Sequence, residues 1–172
     1  MDLAQAKNLF ESAKQGNPQA REQIFLSYFQ PVFRYIFIRT RKRQDAEDLA
    51  QTVFLKFYQS LHNFSFQKEP LAYLFTIARN TLIDHLRKHR FEPIELAEQL
   101  NAPEPLSEHA QFDLTEFLNE LDERQKDCLI LRFINGYRAE EIGKILNLSP
   151  NNVRQIQSRA LKQLRQKHDT KQ

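Results

Sequence analysis

Three glycines, one cysteine and no tryptophan in 172 residues restrict what this chain can build. So little glycine, beside many Leu, Gln, Lys, Arg and Glu, argues against a turn-rich β architecture and for helix throughout, so an all-α protein is expected. The lone Cys128 excludes a disulfide framework and a cysteine zinc cluster. Set in the apolar run CLILRF, it reads as a small buried hydrophobe with no redox role. No apolar run reaches the roughly 20 residues that cross a bilayer, and the start, MDLAQAKNLFESAK, lacks the basic-then-apolar order of a secretion signal. A cytoplasmic protein without membrane insertion is the expectation. Nor is there a glycine-rich phosphate loop, and His62, His85, His89, His109 and His168 have no Cys or carboxylate at ligand spacing. Neither an enzyme nor a metal or cofactor site is expected.

One charge sign is missing from the middle. Residues 91 to 123 hold ten acids and no Lys or Arg, together with Pro93, Pro103 and Pro105. Residues 1 to 90 carry 14 Lys and Arg against 8 Asp and Glu, and residues 124 to 172 carry 11 against 4. Two basic ends around an acidic, proline-bearing middle predict two small helical domains, 1–90 and 106–172, on an acidic linker, 91–105. Either end is suited to a polyanion.

Apolar spacing fills in the helices. Leu3, Ala6, Phe10 and Ala13 share a face that Gly16 closes, and Asn17 with Pro18 starts a second helix by cap and first-turn chemistry. Its stripe of Ile24, Phe25, Tyr28, Phe29, Val32, Phe33, Ile36 and Phe37 is broad, with Pro31 as a candidate bend. Asp45 is expected to cap a third helix with the apolar face Leu49, Val53, Phe54, Phe57 and Leu61; a fourth runs from about Pro70 to His89. Ser107 is read as the start of a helix carrying Leu114, Phe117, Leu118 and Leu121, and Glu95 to Leu100 as a short helical turn. Asp122 with Gln125 is a capping-box pattern for a helix ending near Asn135 and Gly136.

The stretch AEEIGKILNLSPNNVRQIQSRALKQLR, Ala139 to Arg165, predicts two helices on a tight turn. Ile142, Ile145 and Leu146 form the buried side of the first, Gly143 allows close backbone approach, and Asn147 tolerates the left-handed conformation that ends a helix. Ser149 caps the second and Pro150 takes its first position. With Val153, Ile156, Ala160, Leu161 and Leu164 inward, the outer face shows Asn151, Asn152, Arg154, Gln155, Ser158, Arg159 and Lys162. Such side chains pair with base edges or phosphates in a major groove, although a merely solvated hairpin fits the same pattern.

DAEDLAQTVFLKFYQSLHNF, Asp45 to Phe64, followed by PLAYLFTIARNTLIDHLRKHR, Pro70 to Arg90, resembles region two of bacterial RNA polymerase sigma factors. LDERQKDCLILRFINGYRAEEIGKILNLSPNNVRQIQSRALKQLR, Leu121 to Arg165, is similar to their region four, and the two-domain layout is that of the extracytoplasmic-function (ECF) group of the sigma-70 family. The resemblance implies an alternative sigma factor that binds core RNA polymerase and directs initiation at chosen promoters. Asp45, Glu47, Asp48, Gln51, Val53 and Phe54 would then dock on a coiled coil of the polymerase's largest subunit; capped, solvated acids are the plainer account. Asn63, Phe64, Arg79, Asn80, Asp84 and Arg87 would meet the minus-ten element, with a flipped base held near NFSFQKEP. Phe64 and Phe66 serve equally as core plugs. Ser149, Asn151, Asn152, Arg154, Gln155, Ser158, Arg159 and Lys162 would read the minus-thirty-five element, Arg154 and Gln155 foremost, and the C-terminal domain would touch the polymerase flap region. An anti-sigma factor is a further partner the resemblance allows.

Some residues depart from the family pattern. Phe57, Tyr58 and Tyr73 stand where relatives often place Trp, Arg138 where Ser commonly caps, and Asn147 where Gly commonly turns; VRQIQSRALKQLR looks more like a housekeeping recognition helix. The acidic linker reads either as a nucleic-acid mimic in the polymerase channel or as a spacer. An operator-binding dimeric regulator, and a sigma-like interaction protein that reads no promoter, are the competing functions.

Overall fold

A computed structural model describes residues 3–63, 70–88 and 117–170, and every regular element among them is helical. The chain divides into two compact units, Met1–Glu98 and Gln99–Gln172. That division falls inside the stretch read as the linker. The linker itself, the Glu95 turn and the Ser107 helix start lie outside the described residues.

In the first unit α1 (Leu3–Lys14) leads through Gly16, at φ +91°, to α2 (Pro18–Thr40). The Asn17 side chain accepts from the Ala20 backbone N–H at 3.1 Å, and Pro18 needs no donor at the first position, as expected from the sequence. Pro31 does not end α2, which continues to Thr40 and closes on Arg41 in the left-handed conformation, its N–H bonded to the Phe37 carbonyl at 2.9 Å. Next come α3 (Arg43–Ser60), a 3-10 turn (Leu61–Asn63) and α4 (Pro70–Lys88). The expected Asp45 cap is corrected. α3 is capped three residues earlier, on Lys42, which makes no side-chain cap bond, and Asp45 sits in the first turn, where its charge faces the helix dipole.

Here α2 packs on α1 and α3, and α3 on α4. The core is aromatic, as the stripe predicted, with corrections of phase. Tyr35 and Ile38 are buried although the spacing left them out, whereas Phe25, Tyr28, Phe29 and Phe37 are half-buried. Phe57 lies edge-on to Phe10 with ring centroids 5.8 Å apart, and Tyr35 meets Phe75 edge-on at 5.6 Å. The Tyr58 hydroxyl donates to the Arg21 carbonyl at 2.7 Å, and burial pushes its pKa up to about 12, so it stays a donor. Phe57 and Tyr58, two of the residues in tryptophan's place, thus serve packing inside the fold.

In the second unit a turn at 117–119 precedes α5 (Glu123–Leu129), whose Asp122–Gln125 capping box forms in both directions, at 2.9 and 3.1 Å. A π-helical turn, Ile130–Ile134, follows, then α6 (Ala139–Leu146) and α7 (Pro150–Thr170). The π turn carried no advance signal in the sequence. Cys128 is fully buried, with its thiol pKa pushed up to about 11 by burial first and then by Asp127 and Asp122 nearby, so it stays a protonated hydrophobe.

Candidate nucleic-acid and partner interfaces

The helix hairpin of the second unit is set by its turn. Asn147 adopts φ 55°, ψ 51°, and Leu148 N–H returns to the Gly143 carbonyl at 2.8 Å. A Cβ on Gly143 would lie 2.5 Å from the Leu148 carbonyl oxygen, so only glycine lets the two segments approach this closely. The Ser149 hydroxyl then accepts from the Asn152 N–H at 3.2 Å, capping α7. Arg138 precedes α6, and its backbone N–H is held by the Glu141 carboxylate at 2.7 Å, which supplies the return half of a cap where serine is missing.

Val153 and Ala160 of α7 are fully buried, and Ile156, Leu161 and Leu164 half-buried, against α5 and α6. Three amide bonds unforeseen from the sequence tie α7 down: Gln163 to the Glu120 carbonyl at 2.8 Å, Gln125 to Gln163 at 3.4 Å and Gln157 to the Cys128 carbonyl at 3.4 Å. With that side fixed, Asn151, Asn152, Arg154, Gln155, Ser158, Arg159 and Lys162 are all exposed. One face therefore presents amides and cations from the first turn onward. Arg154 is already engaged: it donates to Asn151 at 3.2 Å and pairs with Glu140 of α6.

On α3 the structure separates the six predicted docking residues. Asp48 and Gln51 are exposed. Asp45 faces His85 of α4 at 3.9 Å, and Glu47 accepts from Arg43 at 2.7 Å, so both are part-shielded. Val53 and Phe54 are only 0% and 2% exposed, and their assignment to a partner surface is corrected: they belong to the core. Their place at the surface is taken by Leu55, 62% exposed, which follows Asp48 and Gln51 at helical spacing. The signal for it lay in the sequence, as an apolar residue out of phase with the Val53, Phe57 and Leu61 stripe.

Along α4, Asn80, Asp84 and Arg87 are exposed on one side and Arg79 is half-buried. Asn63 is exposed at the 3-10 turn. Phe64 and Phe66 lie outside the described residues. Lys56 of α3 donates to Thr81 at 3.1 Å, a part-buried bond that ties α4 to α3. Among the described residues no group of His, Cys, Asp and Glu is placed to hold a metal ion, and no helix is long and apolar enough to cross a membrane.

Two family models match the chain: Sigma-70 region 2 over residues 24–92 and Sigma-70, region 4 over residues 117–166. The ECF RNA polymerase sigma factor BldN of Streptomyces coelicolor is 29% identical, in an alignment that covers 95% of this chain and 66% of that protein. The RNA polymerase sigma factor YlaC of Bacillus subtilis is 32% identical over 84% of this chain and 89% of its own. The fold is similar to that of the sigma factor RpoE, solved in complex with the anti-sigma factor NepR from Bartonella quintana, at a TM-score of 0.66 and 23% identity over 84% of this chain and 94% of that one. With both regions present in this order, on helices that form the expected hairpin and core, the chain belongs to the extracytoplasmic-function sigma factors of the sigma-70 family.

Proposed function

We propose how this chain does the work of its family, directing promoter-specific transcription initiation as an alternative sigma factor. Residues 1–90 dock on core polymerase and meet the minus-ten element, residues 106–172 read the minus-thirty-five element and touch the flap region, and residues 91–105 connect them. The observation that carries this is the outer face of α7, where seven amide, hydroxyl and cationic side chains are exposed from a capped N-terminus onward. Residues in the first two turns of the helix reach base edges in this motif, and later cations lie nearer the backbone.

Arg154→Ala is expected to lose about 1–3 kcal/mol on the correct minus-thirty-five sequence and far less on mismatched duplexes, because a bidentate contact to guanine goes. Lys162→Ala weakens both alike. Holoenzyme binding to matched and point-substituted duplexes at one salt concentration decides it: a uniform loss for Arg154→Ala makes that residue a phosphate anchor.

Docking falls to the α3 stripe of Asp48, Gln51 and Leu55, with Asp45 and Glu47 at its rim, against the coiled coil of the largest subunit. Exposed Phe133, on the π turn, gives the second unit an apolar contact for the flap region. An anti-sigma factor would inhibit by covering the α3 stripe. At the minus-ten element Asn80 reads a base and Arg79 binds phosphate, and Asn63, Phe64, Asp84 and Arg87 contribute to the same recognition. Asn80→Ala should therefore relax strand preference more than affinity, whereas Arg79→Ala should lower affinity for all strands and flatten the salt dependence. Equal losses on matched and scrambled single strands for Asn80→Ala would remove its reading role.

A further inference from the structure

The Arg154 guanidinium is held by two neighbours. One terminal nitrogen donates to Asn151 Oδ1, one turn back on α7, at 3.2 Å, and the other donates to Glu140 on α6. Of the roughly five N–H groups a guanidinium carries, these use two, leaving one on each terminal nitrogen and the Nε–H. That is enough for a two-pronged contact with guanine O6 and N7. Both partners of the ion pair are about half exposed, at 54% each, so in free solution the pair adds little stability. What it does is restrict a long side chain that would otherwise sample many rotamers. Its second anchor is on a different helix, whose position relative to α7 is fixed by the close approach of Gly143 to Leu148.

The surroundings add a charge argument. A recess of about 420 Å³ between α6 and α7 is lined by Arg132, Arg138, Ala139, Glu140, Arg154 and Gln157. Among these lining residues Glu140 is the one carboxylate, beside three arginines. A carboxylate here repels DNA phosphates, so it costs affinity for every sequence alike; that cost is recovered only where Arg154 meets its correct base.

We propose that Glu140 is a specificity-determining positioning residue: it touches no base, but by holding Arg154 it fixes the direction in which that arginine reads. The inference rests on the reading of α7 as the recognition helix and adds to it a residue of the preceding helix. It makes Glu140→Ala a variant that binds DNA no more weakly overall yet discriminates less.

The test is selection of bound duplexes from a library randomised across the minus-thirty-five element, using holoenzyme assembled from core polymerase and the full-length chain. Wild type, Arg154→Ala, Glu140→Ala and Glu140→Gln are compared, each checked for folding by circular dichroism. Arg154→Ala should lose about tenfold of the preference for guanine at one position. Glu140→Ala should lose about three- to fivefold at that same position while binding mismatched duplexes as well as wild type or better, and Glu140→Gln, which keeps an acceptor without the charge, should fall between. A merely structural role for Glu140 would lower binding at all sequences and leave the preference unchanged. If Arg154→Ala loses the preference and Glu140→Ala keeps it, the positioning role is wrong and the recognition helix stands; if Arg154→Ala keeps it too, both are wrong.

Discussion

Gly143→Ala should lower the stability of the second unit and abolish most minus-thirty-five binding, although alanine is the better helix former. Two effects oppose each other at this position. Gly143 lies inside α6 with helical backbone, where alanine is favoured by about 1 kcal/mol. Against that, the new Cβ would meet the Leu148 carbonyl oxygen at 2.5 Å and approach Pro150 N at 3.7 Å. The obstacle is backbone, which cannot swing aside as the end of a long side chain could. The turn must retreat by the better part of an ångström, loosening the 2.8 Å bond from Leu148 N–H to Gly143 and changing the angle at which α7 leaves α6. Overpacking of this kind costs about 1–3 kcal/mol, so the clash outweighs the helix gain. The functional loss should exceed the stability loss, because every side chain on the outer face of α7 moves with the turn. Urea unfolding and duplex binding measure the two. Gly136→Ala is the control: at φ +76° it is strained but meets nothing within 4 Å, so it should cost stability without redirecting α7. Gly143→Ala as stable and as active as wild type would mean the close approach is not needed.

The hairpin around Gly143 was legible because each signal is local. A cap, a first-position proline, a left-handed asparagine and a 3.6-residue apolar period each act within a few residues, and all agree for Asp122–Gln125, Asn147 and Ser149. What depends on neighbours distant in sequence was not. The apolar period of α3 already put Val53 and Phe54 on its inner face, and only the family resemblance carried them to the docking surface; neighbours along a helix are turned by about 100°, so a residue beside an acid need not share its face. Both point to the core, and Leu55 points away from it. Nor could the pairing of Glu140 with Arg154, fourteen positions apart, be seen before the hairpin was closed. The π turn at Ile130–Ile134 likewise depends on packing, since ILRFI spells an ordinary helix.

That correction on α3 separates folding from docking, and two substitutions six residues apart should separate in the same way. Phe54 is 2% exposed, with its ring 4.9 Å from Phe25, 6.4 Å from Phe29 and 6.1 Å from Tyr58 by centroids. Truncation to alanine removes those contacts and leaves a cavity in a core shared by α2 and α3, at a cost of about 3–5 kcal/mol. Such a loss is a large part of the stability of a small domain, so Phe54→Ala should bind polymerase poorly only because less of it is folded. Asp48→Arg makes the opposite change. Asp48 is exposed, and stability should stay within about 0.5 kcal/mol. If the α3 stripe meets a basic polymerase surface, the new positive charge faces like charge, and affinity for core should fall about tenfold or more. Leu55→Ser, which removes exposed apolar area, should also weaken docking while leaving the urea midpoint in place. Competition with a second sigma factor for core polymerase, run beside urea unfolding, gives both axes. The division fails if Phe54→Ala is as stable as wild type, and the α3 docking surface fails if folded Asp48→Arg and Leu55→Ser both compete undiminished.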